Sequence, residues 1–411
     1  MRIAVIGGGV IGLTTAYALV RNGHEVDLIE QRDNVALETS FANGGQLSYR
    51  YVAPLADSGV PFQALGWMLR SSSPLRFRPK FCPKQWRWCM AFLLACRQSV
   101  NKRNSAHLLR LALLSQRVLR KWREQDCLDG FAWRANGKLV VYRHRSSWRK
   151  ASDAQSRDEY QVLSPNQCLE TEPALRHLYA KLQGGIYAPG DEVADCHRFC
   201  KQLLDRLRLS SGFHLHTGRK VSTLQLDRSK AKALCMGIDE LEFDHVVIAA
   251  GIGSVSLLDS LGIKVPVYPL KGYSLSLSLQ GREGVPETNV TDYDNKVVYA
   301  RLDDQLRVAA MVDIGGWDSG ISTGRVADLR KIAQNSFPYA GDFQHADAWA
   351  GMRPATPEGT PVLGASSIDN LWLNIGHGSL GFTLACGSAE IVSSLIEGRS
   401  PTIKLDGLSR Q

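Results

Sequence analysis

Three features of the sequence predict an α/β fold in which two domains are interleaved. A glycine-rich strand-to-helix junction opens the chain, apolar strands of similar character return near residues 243–251 and 370–376, and the segments between them carry the alternating polarity of antiparallel strands. In the opening run Ile3-Ala-Val-Ile-Gly7-Gly-Gly9-Val-Ile-Gly12, a β-branched strand delivers its last amides to the start of a helix reaching about Asn22. Gly7 permits the tight turn, Gly9 lets the backbone approach a pyrophosphate, and Gly12 lets helix and strand pack closely. Twenty-one residues after Gly9, the strand Glu25-Val-Asp-Leu-Ile-Glu ends in Glu30, an acid placed to accept hydrogen bonds from a ribose. The expectation is a discontinuous Rossmann-like dinucleotide-binding domain. A secretory signal is disfavoured by the three clustered glycines, the missing small-residue cleavage site and the prompt acidic strand.

A chain of 411 residues that is 44% hydrophobic can bury a large core and is expected to form two domains. The apolar run Cys89 to Cys96 is far shorter than the roughly 20 residues of a membrane-spanning helix, so no bilayer crossing is expected. Nine cysteines, an odd number without paired CxxC spacing, fit reduced thiols in a cytoplasmic protein. Cys196, His197 and Cys200 lack a second ligand pair, so no metal is assigned. The net charge of +9 is unevenly spread: residues 58–123 hold fourteen Lys and Arg and no Asp or Glu, and the rest of the chain is net acidic. The basic character therefore belongs to one face.

Within that acid-free segment a helix begins near Pro83, with Trp86, Met90, Leu93 and Leu94 at helical spacing. A second helix is marked by Leu108, Leu111, Ala112, Ser115, Val118, Leu119 and Trp122. Gly137 to Tyr142 reads as a strand, Ser164-Pro165 starts a helix ending before Pro173, and Asp195 reads as the N-cap of a helix through about Leu209. Phe213 to Val221 and Phe243 to Gly251 read as strands of the α/β domain, whereas Leu270 to Leu279 and Lys296 to Val312 read as antiparallel strands. A polar helix is expected near Val326, and Asn370 to Gly376 leads into a closing helix from about Phe382 to Glu397. The nucleotide domain is thus expected from residues 1–57, 186–266 and 346–411, and the second domain from 58–185, which includes the basic helices, and 267–345.

Three constellations carry chemistry. The run Glu38-Thr-Ser40-Phe-Ala-Asn43-Gly-Gly45-Gln46 is rich in hydroxyl, amide and glycine groups and suits the lining of an extended cofactor, or an ordinary capped loop. Gly376-His377-Gly-Ser-Leu-Gly381-Phe-Thr383 is a second strand-turn-helix junction. A helix N-terminus there would stabilise the negative charge of a reduced flavin, which favours FAD over a nicotinamide. Between them, Gly351-Met-Arg353-Pro354-Ala-Thr-Pro holds one arginine in a stiff segment, suited to bidentate capture of a carboxylate.

The runs Leu37-Glu-Thr-Ser-Phe-Ala-Asn-Gly-Gly-Gln-Leu-Ser48, Val267-Tyr-Pro-Leu-Lys-Gly-Tyr-Ser274, Gly351-Met-Arg-Pro-Ala-Thr-Pro-Glu-Gly-Thr-Pro-Val-Leu-Gly364 and Asn370-Leu-Trp-Leu-Asn-Ile-Gly-His-Gly-Ser-Leu-Gly381 occur in one order. By these motifs the chain resembles the bacterial D-amino-acid dehydrogenases of small-subunit type, within the D-amino-acid oxidase group of FAD-dependent oxidoreductases. The resemblance covers nearly the whole chain. It implies noncovalent FAD, with Gly7, Gly9, Gly12 and Glu30 on the ADP half and Ser40, Asn43 and Gln46 nearer the pyrophosphate and ring. It also places Val221 by the adenine, Ala250 and Gly251 by the cofactor, and Gly378, Leu380, Gly381, Phe382 and Thr383 at the flavin. Phe382 stands where the family usually has Trp.

The reaction implied is hydride removal from the α-carbon of a D-amino acid to flavin N5, followed by hydrolysis to a 2-oxo acid and ammonia. Arg353 matches the family's carboxylate-binding arginine. A tyrosine is expected to complete substrate capture, with Tyr273 favoured over Tyr293, Tyr299 and the pair Tyr49 and Tyr51. His377 would either polarise the flavin or cap its turn, and Lys271 is a further candidate near the ring. The resemblance points to a quinone or other respiratory acceptor at the inner face of the cytoplasmic membrane. Basic residues with Trp67, Trp86, Trp88 and Trp122 offer a route to anionic lipid, set against an ordinary solvated basic face. Alternatives are an oxygen-using glycine, sarcosine or D-amino-acid oxidase, a dehydrogenase of cyclic D-imino acids such as D-proline or hydroxy-D-proline, and a nicotinamide dehydrogenase. A nucleic-acid binder is disfavoured, because no reading module accompanies the basic residues.

Overall fold

The computed structural model describes residues 1–50, 52–61, 73–153, 160–227, 230–236, 239–279 and 283–409. Its first sheet has six strands, in the order Val362–Ala365, Leu371–Ile375, His245–Ile248, Arg2–Ile6, Glu25–Ile29 and Phe213–His216. All neighbours run parallel except the antiparallel edge pair Val362–Ala365 with Leu371–Ile375. The central strands are buried on both faces, which is why they read as continuous apolar runs.

One face is covered by the helices Val10–Arg21, Gln98–Asp126, Cys196–Leu207 and Gly381–Ile396, which join a single core with Leu13, Leu111, Phe199 and Leu384. The other carries helix Gly253–Ser260 and the small sheet of Thr223–Asp227, Lys230–Met236 and Asp239–Glu242. Helix Gly381–Ile396 is apolar nearly all round because it is buried nearly all round.

The second sheet has nine strands. Its order is Asp347–Ala355, Tyr268–Ser278, Gln305–Ile314, Val297–Leu302, Asn289–Asp292, Lys138–Tyr142, Gly184–Ala188 and Gln161–Leu163, with Leu75–Phe77 pairing Gln305–Ile314 off this path. Helix Thr323–Ser336 and residues such as Leu275, Tyr299, Val308 and Phe337 form the core on one face. The expected helix at Ser164 is present over Pro165–Thr171 with a full capping box, in which Ser164 Oγ accepts from Gln167 N and the Gln167 side chain accepts from Ser164 N.

Two of the expected segment assignments change. Asp347–Ala355 is the edge strand of the nine-stranded sheet, paired along its length with Tyr268–Ser278, and so does not belong to a nucleotide-binding segment starting at residue 346. Helix Gln98–Asp126 packs into the core of the six-stranded sheet, although its sequence position groups it with the second domain. Long-range packing of Leu108, Leu111, Ala112, Leu119 and Trp122, all buried, decides its place. Of the tryptophans expected at a lipid face, Trp88 and Trp122 are buried and Trp86 is exposed; Trp67 lies outside the described residues.

Candidate functional site

At the nucleotide end, glycines make room for backbone rather than for side chains. Gly7 has φ +110°, and a methyl there would sit 2.6 Å from Ala250 Cα. This locks the first turn against the end of His245–Ile248, where Ala249 N donates to Ile6 O at 2.9 Å and Gly251 turns the chain with φ +55°. A methyl on Gly12 would overlap the Gly7 carbonyl. Gly9 is the N-cap of helix Val10–Arg21 and supplies no side-chain cap, while Val10 N donates to Ser40 Oγ at 3.0 Å.

Glu30 is buried, and its two oxygens accept from Gly8 N at 2.7 Å and Arg32 N at 2.8 Å. Each carboxylate oxygen keeps a lone pair for a ribose hydroxyl. A bare helix N-terminus, close backbone approach and a held acid fit the pyrophosphate and ribose of a dinucleotide.

The loop after Glu30 runs over the second sheet. Thr39 Oγ1 donates to Met352 O at 2.8 Å, Ser274 Oγ donates to Ala42 O at 2.7 Å, and Arg307 Nη1 donates to Asn43 O at 2.9 Å. The side chains of Asn43 and Gln46 are engaged within the protein: Asn43 Oδ1 accepts from Gly45 N, and Gln46 bonds Val290 O and Thr291 Oγ1. What this stretch offers a cofactor is therefore mainly backbone. Val221 is partly buried against the Leu224 and Leu234 core beside the six-stranded sheet.

The C-terminal junction relies on glycine in the same way. Gly376 and Gly378 have φ of +83° and +55°, and a methyl on Gly376 would lie 2.7 Å from Thr356 Cγ2. The short turn Gly378–Leu380 leads into helix Gly381–Ile396, whose N-cap Leu380 provides no side-chain cap. Thr383 Oγ1 accepts from Ser48 N at 3.3 Å, tying this helix to the loop from the first junction.

Phe382 faces inward against Phe199, with ring centroids 5.5 Å apart, so its difference from the usual Trp falls in the core. His377 is buried and hydrogen-bonded through Nε2 to Ser388 Oγ at 3.0 Å. Burial lowers its pKa to about 3, and the neutral ring holds the turn against the closing helix.

His377 also forms a bridge to Ala355, which places the flavin-type turn two residues along the strand from Arg353. The Arg353 side chain crosses Gly272, where any Cβ would overlap the guanidinium, and Nη1 donates to Met311 O at 2.9 Å. That carbonyl is presented by a bulge. The pairing steps from Lys271 opposite Asp313 to Tyr273 opposite Ala310, leaving an extra residue on Gln305–Ile314, and Met311 has φ +66°. Among the described residues no carboxylate lies within 4.0 Å of Arg353. Burial lowers its pKa to about 10, so it remains a cation at neutral pH.

Tyr273 does not share the face of Arg353. Arg353 opposes Leu270 and Gly351 opposes Gly272 on one face, whereas Tyr273 opposes Ala350 on the other. There Tyr273 is buried and its hydroxyl donates to Asp313 Oδ2 at 3.0 Å, within a group completed by Arg76 and Arg325. Desolvation and the Asp313 charge raise its pKa to about 12.

Lys271 shares that far face, opposite to that of Arg353, and reaches Asp318 and Gly320 O. Tyr299 packs on Phe337 in the same far-face core, and Tyr293 lies beside Tyr142. Tyr49 is buried, and Tyr51 lies outside the described residues. Sequence reasoning missed Gly272 and Met311. A glycine inside an alternating strand was the available signal for the first, while nothing local marks the second.

A family model described as DAO, FAD dependent oxidoreductase, matches residues 2–395. The chain belongs to this family of FAD-dependent oxidoreductases. It is 54% identical over 408 residues to D-amino acid dehydrogenase 2 of Pseudomonas aeruginosa, covering 99% of this chain and 97% of that one. It is 41% identical to D-amino acid dehydrogenase 2 of Ralstonia nicotianae over 416 residues, 98% of each. Among solved structures it matches glycine oxidase from Bacillus cereus with TM-score 0.73 and 20% identity, covering 100% of this chain and 99% of that one. L-proline dehydrogenase from P. horikoshii matches with TM-score 0.73 and 16% identity, covering 100% and 96%. These two establish a shared fold.

Proposed function

We propose that the protein oxidises D-amino acids to 2-oxo acids and ammonia and passes the electrons to a quinone or another respiratory acceptor. The observation that carries the substrate class is Arg353, a partly buried cation held by the Met311 carbonyl, with no acidic partner among the described residues. Such a group is stabilised by an arriving carboxylate. The names of the relatives at 54% and 41% identity support the same substrate.

Bound FAD supplies the hydride acceptor. Gly7, Gly9, Gly12 and Glu30 would hold its ADP half, Ser40 would stand nearer the pyrophosphate, and the turn Gly378–Leu380 with the start of helix Gly381–Ile396 would face the flavin. Arg353 fixes the carboxylate and so orients the α-carbon. The substrate's own neutral amine supplies the electron push, so no side-chain base is needed, and His377 is already engaged by Ser388. Water hydrolyses the released imino acid.

The acid-free segment supports a place at the membrane, where a respiratory acceptor would be met. Trp86, Met90, Leu93 and Leu94 stand exposed along one side of helix Pro83–Ala95, with Phe81 just before it and Lys80, Arg87 and Arg97 around it. An exposed apolar strip ringed by cations suits the anionic inner face of the cytoplasmic membrane. Co-sedimentation with anionic but not zwitterionic vesicles tests this.

A panel of D-amino acids with an artificial dye acceptor, run beside oxygen alone, tests the activity. Dye-dependent turnover of D- but not L-amino acids is expected, and peroxide formation at the same rate would make it an oxidase instead. Arg353→Ala is expected to keep the yellow flavin and lose most activity. Undiminished turnover would remove the carboxylate assignment.

A further inference from the structure

The strand that carries Arg353 carries a second large side chain on the same face. Trp349, Gly351, Arg353 and Ala355 alternate on that face, opposite Ser274, Gly272, Leu270 and Tyr268. The two glycines, Gly351 and Gly272, are direct cross-strand partners. The Trp349 indole fills the space above Gly351, and the Arg353 guanidinium fills the space above Gly272. Cβ positions of such a pair are about 5 Å apart. Indole and guanidinium therefore lie side by side over the two glycines, whose missing side chains give them room. Ser274, opposite Trp349, closes one end by binding Ala42 O.

Trp349 is otherwise hard to account for. Its neighbours Ala348 and Ala350 pack into the core on the far face, but the indole joins none of the hydrophobic cores among the described residues and stays partly exposed. A large aromatic ring leaning along a strand toward an unpaired cation is a recognition surface rather than a packing element.

We infer that Trp349 is the side-chain wall of the substrate slot and sets a preference for D-amino acids with apolar or aromatic side chains. The inference rests on the proposal that Arg353 binds the carboxylate. With the carboxylate on Arg353, the α-carbon substituent meets the neighbouring indole. An acidic or basic side chain would be desolvated there without a partner, whereas a flat or branched apolar one gains contact.

The test uses the flavin-loaded enzyme and the dye assay, with D-phenylalanine, D-leucine, D-alanine and D-glutamate as substrates for the parent, Trp349→Ala, Trp349→Phe and Arg353→Ala. Trp349→Ala is expected to lower kcat/KM for D-phenylalanine and D-leucine by about tenfold or more, through KM. The change for D-alanine should stay within about threefold. Trp349→Phe should recover most of the loss, and flavin content and melting temperature identify any general damage. A uniform loss across all four substrates, or no change in any, overturns the role of Trp349. If Arg353→Ala leaves D-alanine turnover intact, it is the carboxylate assignment that has failed, and the slot fails with it.

Discussion

The two ends of this site are built by the same device, the removal of a β-carbon, yet they differ in how far the consequence travels along the chain. At the nucleotide end, Gly7 and Gly12 lie within one strand-to-helix turn, and Gly12 makes room for the carbonyl of Gly7 itself. On the substrate sheet, Gly272 makes room for Arg353, eighty-one positions later, and the guanidinium is aimed by a bulge at Met311 on a third strand. A local motif fixes a backbone path. A distant one fixes a side-chain direction, and its failure should leave the fold standing.

That contrast can be broken at several points. The largest effect is expected for Gly12→Ala, because the methyl would strike a backbone carbonyl that cannot move aside. Purified protein should be colourless or poorly folded, as judged by flavin absorbance and melting temperature; a yellow, normally stable variant would show that the turn tolerates far more than its geometry suggests. Next comes Gly272→Ala, where the obstructed group is the far end of a flexible side chain. Here the flavin and melting temperature should persist while KM for D-amino acids rises by roughly tenfold or more, the scale of a displaced charge-assisted hydrogen bond. A large stability loss with unchanged KM would place the damage in the sheet instead.

A smaller effect is expected for Tyr273→Phe. It removes one hydrogen bond to the buried Asp313, which keeps Arg76 and Arg325, and should cost about 1–2 kcal/mol of stability with little change in KM. A tenfold KM increase at unaltered stability would return Tyr273 to the substrate. Smallest at neutral pH is a change that emerges only in acid. His377 titrates near 3 when folded against an ordinary 6.5, so between these values the unfolded chain binds more protons and stability falls as pH drops below 6.5. His377→Asn should flatten that acid slope by at most about 1.4 kcal/mol per pH unit, read from melting temperatures between pH 7 and pH 4.

The same contrast explains what the sequence disclosed. Gly7, Gly9, Gly12 and Glu30 announced their geometry because the chemistry they serve is short in range, and Arg353 stood out because prolines stiffen its segment. Helix boundaries at Pro165 and Asp195 were readable from caps. The face of Tyr273 was not, because alternation gives two faces without saying which one meets the cofactor domain, and only the pairing of Gly272 with Gly351 decides it. Helix Gln98–Asp126 was visible as a helix, but its placement depends on Gly387, whose missing side chain lets the closing helix approach the backbone at Leu111 and Ser115. The expected third nucleotide-binding piece began too early because Asp347–Ala355 resembles any other strand until its partner is known.

One architectural fact bears on how the molecule comes into being. The sheet begun by Arg2–Ile6 receives Leu371–Ile375 and the covering helix Gly381–Ile396 only after nearly all other residues have been made. During synthesis the first glycine turn must wait on the ribosome with its neighbours absent, exposing apolar strand edges that invite misassociation. Dinucleotide capture is therefore expected to be a late step, and flavin supplied during refolding should raise the yield of native protein more than flavin added afterwards.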